Sequence, residues 1–289
     1  MILEVKNCNL VEEVVHLEEL NADVNNVLLF PNLKTLYLRD LPKLERFCNF
    51  NGDIIEFPEL DTLSIYNCPN MKIFISNSTQ IEITAIKEPQ EMSLEEINIL
   101  ADAQSFFDEK VAFPSLQLLE LSKLPQLFNL SKKISWFRNL RTLKVYQCNN
   151  LRNLVKLSTV ESSVNLHTIE ISSCKMLEEI IELQVGEEMK QDPIIFNELK
   201  YLILYNLPSL ASFCSGSYTL EFPNLIQVIV GECPRMKIFS QGVSVTPKLQ
   251  RLQLLELEEE ECWEGDLNST IQKFFEEMNV QSSKDENIS

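Results

Sequence analysis

Residues 30–47 read F-P-N-L-K-T-L-Y-L-R-D-L-P-K-L-E-R-F, and residues 57–74 read F-P-E-L-D-T-L-S-I-Y-N-C-P-N-M-K-I-F. The second stretch repeats the frame of the first. The frame returns at Phe113, Phe137, Phe196 and Phe222, and without its phenylalanine at Ser163 and Thr246. The first leucines of these eight units are Leu33, Leu60, Leu116, Leu140, Leu166, Leu199, Leu225 and Leu249, spaced by 27, 56, 24, 26, 33, 26 and 24 residues. The interval of 56 is about two periods. Within it Leu94, Ile97 and Ile99 keep the internal spacing, so a degenerate unit is expected near 94–112. Upstream, Leu3, Val5 and Cys8 fit the frame one unit earlier, so the chain opens inside a repeat.

The unit L-x-x-L-x-L-x-x-(C or L)-x-x-L has the pattern and period of the leucine-rich repeat. Alternation in x-L-x-L makes a short strand with leucines inward and the intervening residues outward. One unit cannot bury its apolar face alone, so stability requires stacking. The expected fold is an α/β repeat solenoid. It is a horseshoe with a concave parallel sheet, an irregular convex side and a C-terminal capping helix. The solenoid is assigned to 1–255, with about eight clear repeats, and an acidic tail to 256–289. In that tail Ile271, Phe274, Phe275 and Met278 follow helical spacing over about 268–279, with Asn268 or Ser269 able to cap.

Cysteine and proline obey the frame. Cys8, Cys68, Cys148, Cys174 and Cys233 share the slot after the strand, where these repeats carry Asn or Cys. A thiol in such a column is a small buried hydrophobe with a weak donor. Ten of the twelve prolines follow either the Phe position or the slot, where a missing N–H ends the strand.

Composition removes most chemistry. The 289 residues carry 43 acidic and 25 basic side chains, net -18, which disfavours a nucleic-acid or anionic-lipid partner. Six scattered glycines make no phosphate-cradling loop. Two distant histidines and eight widely spaced cysteines give no zinc spacing, so no cofactor or metal is expected. His167 beside an inward Cys148 or Cys174 would point the wrong way for a nucleophile–base pair. No enzyme is expected. The first ten residues hold no signal-type apolar run and no stretch reaches membrane-span length, so a cytoplasmic home is expected.

The concave face is the surface such solenoids use for binding. Five of six tyrosines fall there: Tyr37, Tyr66, Tyr146, Tyr201 and Tyr205. Tyrosine combines large apolar area with a polar tip. Outward basic residues (Lys6, Lys34, Arg39, Lys123, Arg141, Lys144, Lys200, Arg251) slightly outnumber the acids Glu4, Asp40, Asp61, Glu120, Glu170, Glu232 and Glu256. Arg141, His167 and Lys200 hold the same position in three successive units and should form a basic strip beside Lys144 and Tyr146. The candidate protein-binding residues are thus Tyr37, Arg39, Tyr66, Arg141, Lys144, Tyr146, His167, Lys200, Tyr201 and Tyr205. The competing reading takes each tyrosine as a good strand residue on a solvated face.

Three stretches carry a more specific resemblance: Phe106–Leu116 (FFDEKVAFPSL), Gly231–Gly242 (GECPRMKIFSQG) and Trp263–Met278 (WEGDLNSTIQKFFEEM). They resemble the leucine-rich-repeat region of plant coiled-coil nucleotide-binding immune receptors, the intracellular disease resistance proteins. The resemblance implies a module that senses pathogen effectors or modified host proteins and helps hold a nucleotide-binding switch closed. Its implied partners are an effector, a guarded host protein, or the nucleotide-binding domain of the same receptor. The P-loop, the rest of that domain and the coiled coil are missing here. The chain therefore reads as the C-terminal piece of a longer receptor or a truncated relative. The alternative is a standalone leucine-rich-repeat scaffold, adaptor or decoy in a cytosolic complex.

Overall fold

A computed structural model describes residues 1–17, 26–50, 52, 54–76, 105–107, 111–131, 139–157, 165–183, 193–254 and 264–285. Its centre is a nine-stranded parallel sheet of Ile2–Lys6, Thr35–Arg39, Thr62–Tyr66, Leu118–Ser122, Thr142–Tyr146, Thr168–Ser172, Tyr201–Tyr205, Gln227–Gly231 and Arg251–Leu254. The x-L-x-L alternation governs each strand: Leu36 and Leu38, or Leu143 and Val145, are buried, while Tyr37 and Lys144 point to the open face. Strands pair without offset, so Leu119 aligns with Leu143, Leu143 with Ile169, and Ile169 with Leu202.

Two kinds of tight turn recur along the described coils. In one, Leu33 N–H donates to Phe30 C=O and Leu225 N–H to Phe222 C=O; in the other, Leu44 N–H donates to Leu41 C=O and Met71 N–H to Cys68 C=O. Each proline column sits at the second residue of such a turn, where its fixed φ is already correct. Proline therefore starts the turn as well as ending the strand.

The convex side is more ordered than the expected irregular one. After the second turn the chain forms short parallel ladders, 13–15 with 46–49 and 75–76, then 129–131 with 153–157, 179–183 and 212–214. A third side carries 26–28 with 54–56 and 111–112, and 194–195 with 220–221 and 244–245. Where all of a coil is described it is thus three-sided, because stacked segments satisfy one another's backbone groups. Inside run the phenylalanines. Phe47 stacks on Phe74 at 5.0 Å, Phe196 on Phe222 at 4.9 Å and Phe213 on Phe239 at 5.0 Å between centroids.

Among the described residues of the 56-residue interval, none adds a strand to the concave sheet between Thr62–Tyr66 and Leu118–Ser122. Thr62–Tyr66 pairs directly with Leu118–Ser122. Leu94, Ile97 and Ile99 lie outside the described residues. The returning chain contributes on the second side, where Phe74 N–H donates to Phe106 C=O and Phe106 N–H to Asn129 C=O. Phe106 and Phe107 are buried there as a wedge between two coils. Their aromatic area holds the excursion to the core.

The helix Leu267–Asp285 is the one helix among the described residues. It buries Leu267, Ile271 and Phe274, with Phe275 half-buried beneath the Lys237 ammonium at 5.3 Å. The side chain of Met278 lies outside the described residues. Its N-cap is Asp266, two residues before the first of the expected caps: the carboxylate accepts from the Ser269 N–H at 2.9 Å. The Ser269 hydroxyl and N–H hold the Asp266 carboxyl below its ordinary value. Asn268 does something else. Its amide oxygen accepts from the N–H groups of Phe239 and Ser240, both at 2.9 Å, and its NH₂ donates to Ser240 C=O at 2.9 Å. One side chain thereby stands in for the backbone of a missing next coil. The helix caps this end through both apolar and hydrogen-bonding surface.

Candidate functional site

Directly after each of the first eight concave strands stands a residue with positive φ: Asn7, Asp40, Asn67, Lys123, Gln147, Ser173, Asn206 and Glu232, all between 51° and 56°. None is glycine. Asn and Asp tolerate this left-handed conformation best, and four of the eight positions hold them. The residue reverses the chain out of the strand and brings the following slot under the carbonyl two residues back. Cys68 Sγ donates to Tyr66 C=O, Cys148 to Tyr146 C=O and Cys174 to Ser172 C=O, each at 3.5 Å. This geometry explains why a cysteine suits the slot. Burial pushes the thiols of Cys68 and Cys174 up to about 11 and that of Cys48 up to about 12, and raises those of Cys148 and Cys214 too. Such thiols are poor nucleophiles.

The left-handed residues also deliver the concave ladder in strict register. Arg141, His167 and Lys200 fall side by side: His167 N–H donates to Arg141 C=O at 2.7 Å and Lys200 N–H to His167 C=O at 2.9 Å. Burial, then the Lys200 charge, holds the His167 imidazole below its usual value; Arg141 adds to this and Glu198 opposes it. Tyr201, the most exposed of the tyrosines at 38%, lies 5.7 Å from the His167 ring.

Lys144 and Tyr146 are brought beside this strip but carry a carboxylate between them. Lys144 Nζ pairs with Glu170 at 3.0 Å. Burial, with the hydrogen bond to Glu170, raises the Tyr146 phenol. The cationic strip therefore stops at Arg141, and Glu170, absent from the candidate set, is part of the site.

A second cluster forms further along the ladder. Tyr66 lies between two cations, the Arg39 guanidinium at 5.8 Å and the Lys123 ammonium at 5.0 Å from its centroid, with Lys123 Nζ donating to its hydroxyl at 2.9 Å. Lys123 was absent from the candidate set. Tyr37 stands between Glu4 and Ser64 in the middle ladder, two residues before Arg39 on the same strand. Tyr205 donates to Glu232. Among the described residues no group of three His, Cys, Asp or Glu is placed to hold a metal ion, and no helix is long and apolar enough to cross a membrane.

Residues 1–88, 90–175 and 129–262 match the family described as plant disease resistance protein RPS2-like, leucine-rich repeats. The chain belongs to this family. Its relatives in Arabidopsis thaliana include the putative disease resistance protein At4g19050, 26% identical over 75% of this chain and 15% of the relative. The disease resistance protein UNI is 26% identical over 60% of this chain and 19% of its own length. The probable disease resistance protein RPP1 is 32% identical over 44% and 11%. The chain thus spans under a fifth of the length of these three relatives. No solved structure matches. Within this RPS2-like repeat array, the concave ladder with its basic strip and tyrosines is the candidate site.

Proposed function

We propose that this chain is a non-enzymatic protein-recognition module of an intracellular plant immune receptor, meeting its partner on the concave ladder. The observation that carries the reading is the alignment of Arg141, His167 and Lys200 across neighbouring coils of a resistance-protein repeat array whose net charge is -18. A cationic strip on an anionic molecule suits a partner surface bearing carboxylates, because complementary charge steers encounter and fixes register. Tyr201 beside the strip supplies apolar area with a polar tip. The partner is a pathogen effector, a host protein altered by one, or the nucleotide-binding domain of the same receptor. In the last case the contact contributes to autoinhibition. The module works in the cytoplasm.

The test is co-purification from pathogen-challenged leaf tissue with the wild-type chain and with Arg141→Ala/Lys200→Ala. Both substitutions remove outward side chains, so thermal unfolding should be unchanged while the partner is lost. A partner recovered equally by both proteins rejects the reading.

A further inference from the structure

The outermost ladder of the concave sheet alternates in a way the repeat frame does not demand. Its register runs Tyr66, Ser122, Tyr146, Ser172, Tyr205 across five consecutive strands. A phenol ring thus stands on every second strand, with a serine floor between rings. Strand neighbours lie about 4.8 Å apart, so the two serine-floored gaps are about 9.6 Å apart. Each gap has a lysine at its outer rim. Lys123 directly follows Ser122, and Lys175 stands three residues past Ser172. Both lysines line a groove of about 670 Å³ that runs along the strand-exit edge over the same five coils. That lining contains the two lysines, amides, one serine and prolines, and no carboxylate. Lys175 is exposed, and Lys123 spends one of its three donors on Tyr66.

We infer that this edge binds an acidic segment of a protein partner in polyproline-II conformation, laid along the solenoid axis with two carboxylates three residues apart. The spacing follows from geometry. A polyproline-II chain advances about 3.1 Å per residue with three residues per turn, so side chains at i and i+3 point the same way about 9.3 Å apart, close to the distance between the two gaps. One carboxylate meets Lys123 over Ser122 and the other meets Lys175 over Ser172. The ring of Tyr146 separates them and packs on the intervening residues. On the next ladder inside, Lys144 pairs with Glu170 and Glu120 accepts from the Ser64 hydroxyl, while the edge lining itself holds Lys123 and Lys175 and no carboxylate. This inference rests on the concave-recognition reading and adds to it a ligand pattern, acid-x-x-acid in a polyproline-II segment.

The probes are fluorescein-labelled Gly/Ser decapeptides carrying two Glu residues at spacings of two, three, four or five, with a Gln-for-Glu control. Fluorescence polarisation on the full chain should give the tightest binding at spacing three, at least threefold above the other spacings and the Gln peptide, weakening with added salt. Lys123→Gln/Lys175→Gln should abolish that preference with thermal unfolding retained. Arg141→Ala/Lys200→Ala, which alters only the neighbouring strip, should keep it. Spacing-independent binding, no binding below about 1 mM, or binding undiminished in the lysine double variant overturns the inference. Equal loss in the Arg141/Lys200 variant also overturns it, while leaving the broader concave reading standing.

Discussion

Asn268→Ala removes a side chain that substitutes for a whole strand edge, and its cost can be worked from the contacts it makes. The amide oxygen accepts from Phe239 N–H and Ser240 N–H, and those residues are 0% and 1% exposed. Its NH₂ donates to Ser240 C=O. Alanine strands both buried donors, each at about 1–3 kcal/mol, for a total of about 2–6 kcal/mol. The loss has a ceiling, since the helix can undock and admit water. Undocking exposes Leu267, Ile271 and Phe274, each contributing about 1.5–3 kcal/mol when buried, so it costs about 4.5–9 kcal/mol. The two ranges overlap, and the variant should therefore sit close to local undocking. The assay pairs urea unfolding with hydrogen exchange at the Phe239 and Ser240 amides. Those amides should lose protection together with the helix while Leu143 and Val145 keep theirs, because coils couple only to neighbours. Asn268→Asp keeps the acceptor but sets a second oxygen against Ser240 C=O, so it should fall between wild type and alanine. A cost for Asn268→Ala below about 1 kcal/mol, with both amides still protected, refutes the strand-substitute reading.

Other consequences are simpler to state. Leu143→Ala opens a cavity between Leu119 and Ile169 and should cost about 2–5 kcal/mol in urea unfolding. Gly242→Ala forces a Cβ to within 1.9 Å of the Tyr218 carbonyl oxygen, so the last coil should shift or open, read as exchange at Ser240. Iodoacetamide at pH 8 should reach Cys8 and Cys233, both only partly buried, before Cys68, Cys148 or Cys174; early labelling of the buried set contradicts the slot geometry. The depressed Asp266 carboxyl binds fewer protons folded than unfolded, so its stabilisation is present above the ordinary carboxylate range and fades as pH falls through its lower folded value. Helix-end exchange should quicken over that acid window. Lys200→Ala should raise the His167 pKa in an NMR titration, since it removes the second cause of the depression.

The frame of Leu33, Leu36 and Leu38 was legible because burial in a solenoid imposes one pattern on every coil, and the nine in-register strands follow it. The ladder order of Arg141, His167 and Lys200 was legible for the same reason. Four things were not. The direct pairing of Thr62–Tyr66 with Leu118–Ser122 depends on where an excursion leaves and re-enters, and apolar spacing at Leu94, Ile97 and Ile99 says nothing about that. The left-handed column was signalled only by Asn and Asp at 7, 40, 67 and 206; its lysine, glutamine, serine and glutamate members carry no such mark. The Lys144–Glu170 pair required knowing that adjacent coils stack without offset. Similarly, Asn268 satisfied the spacing of a helix cap, while its partners lie 28 and 29 residues away in sequence.

These local rules divide the molecule into parts that can vary independently. Inward Leu, Cys and Phe and the two turns of each coil hold the backbone, and removing one of them opens a cavity or strands a hydrogen bond. Outward residues touch only their ladder neighbours and solvent, so exchanging Arg141, Lys175 or Tyr201 should leave the coil beneath intact, as exposed substitutions generally change stability by less than about 0.5 kcal/mol. A ladder with register set by backbone and side chains set free is suited to reading one partner per arrangement of outward residues. It also makes binding losses interpretable: when stability is unchanged, a lost partner reports on the removed side chain itself. Lys123 is the exception to watch, because it holds Tyr66 through both its ring and its hydroxyl. For that reason the lysine variants use glutamine and are paired with an unfolding measurement.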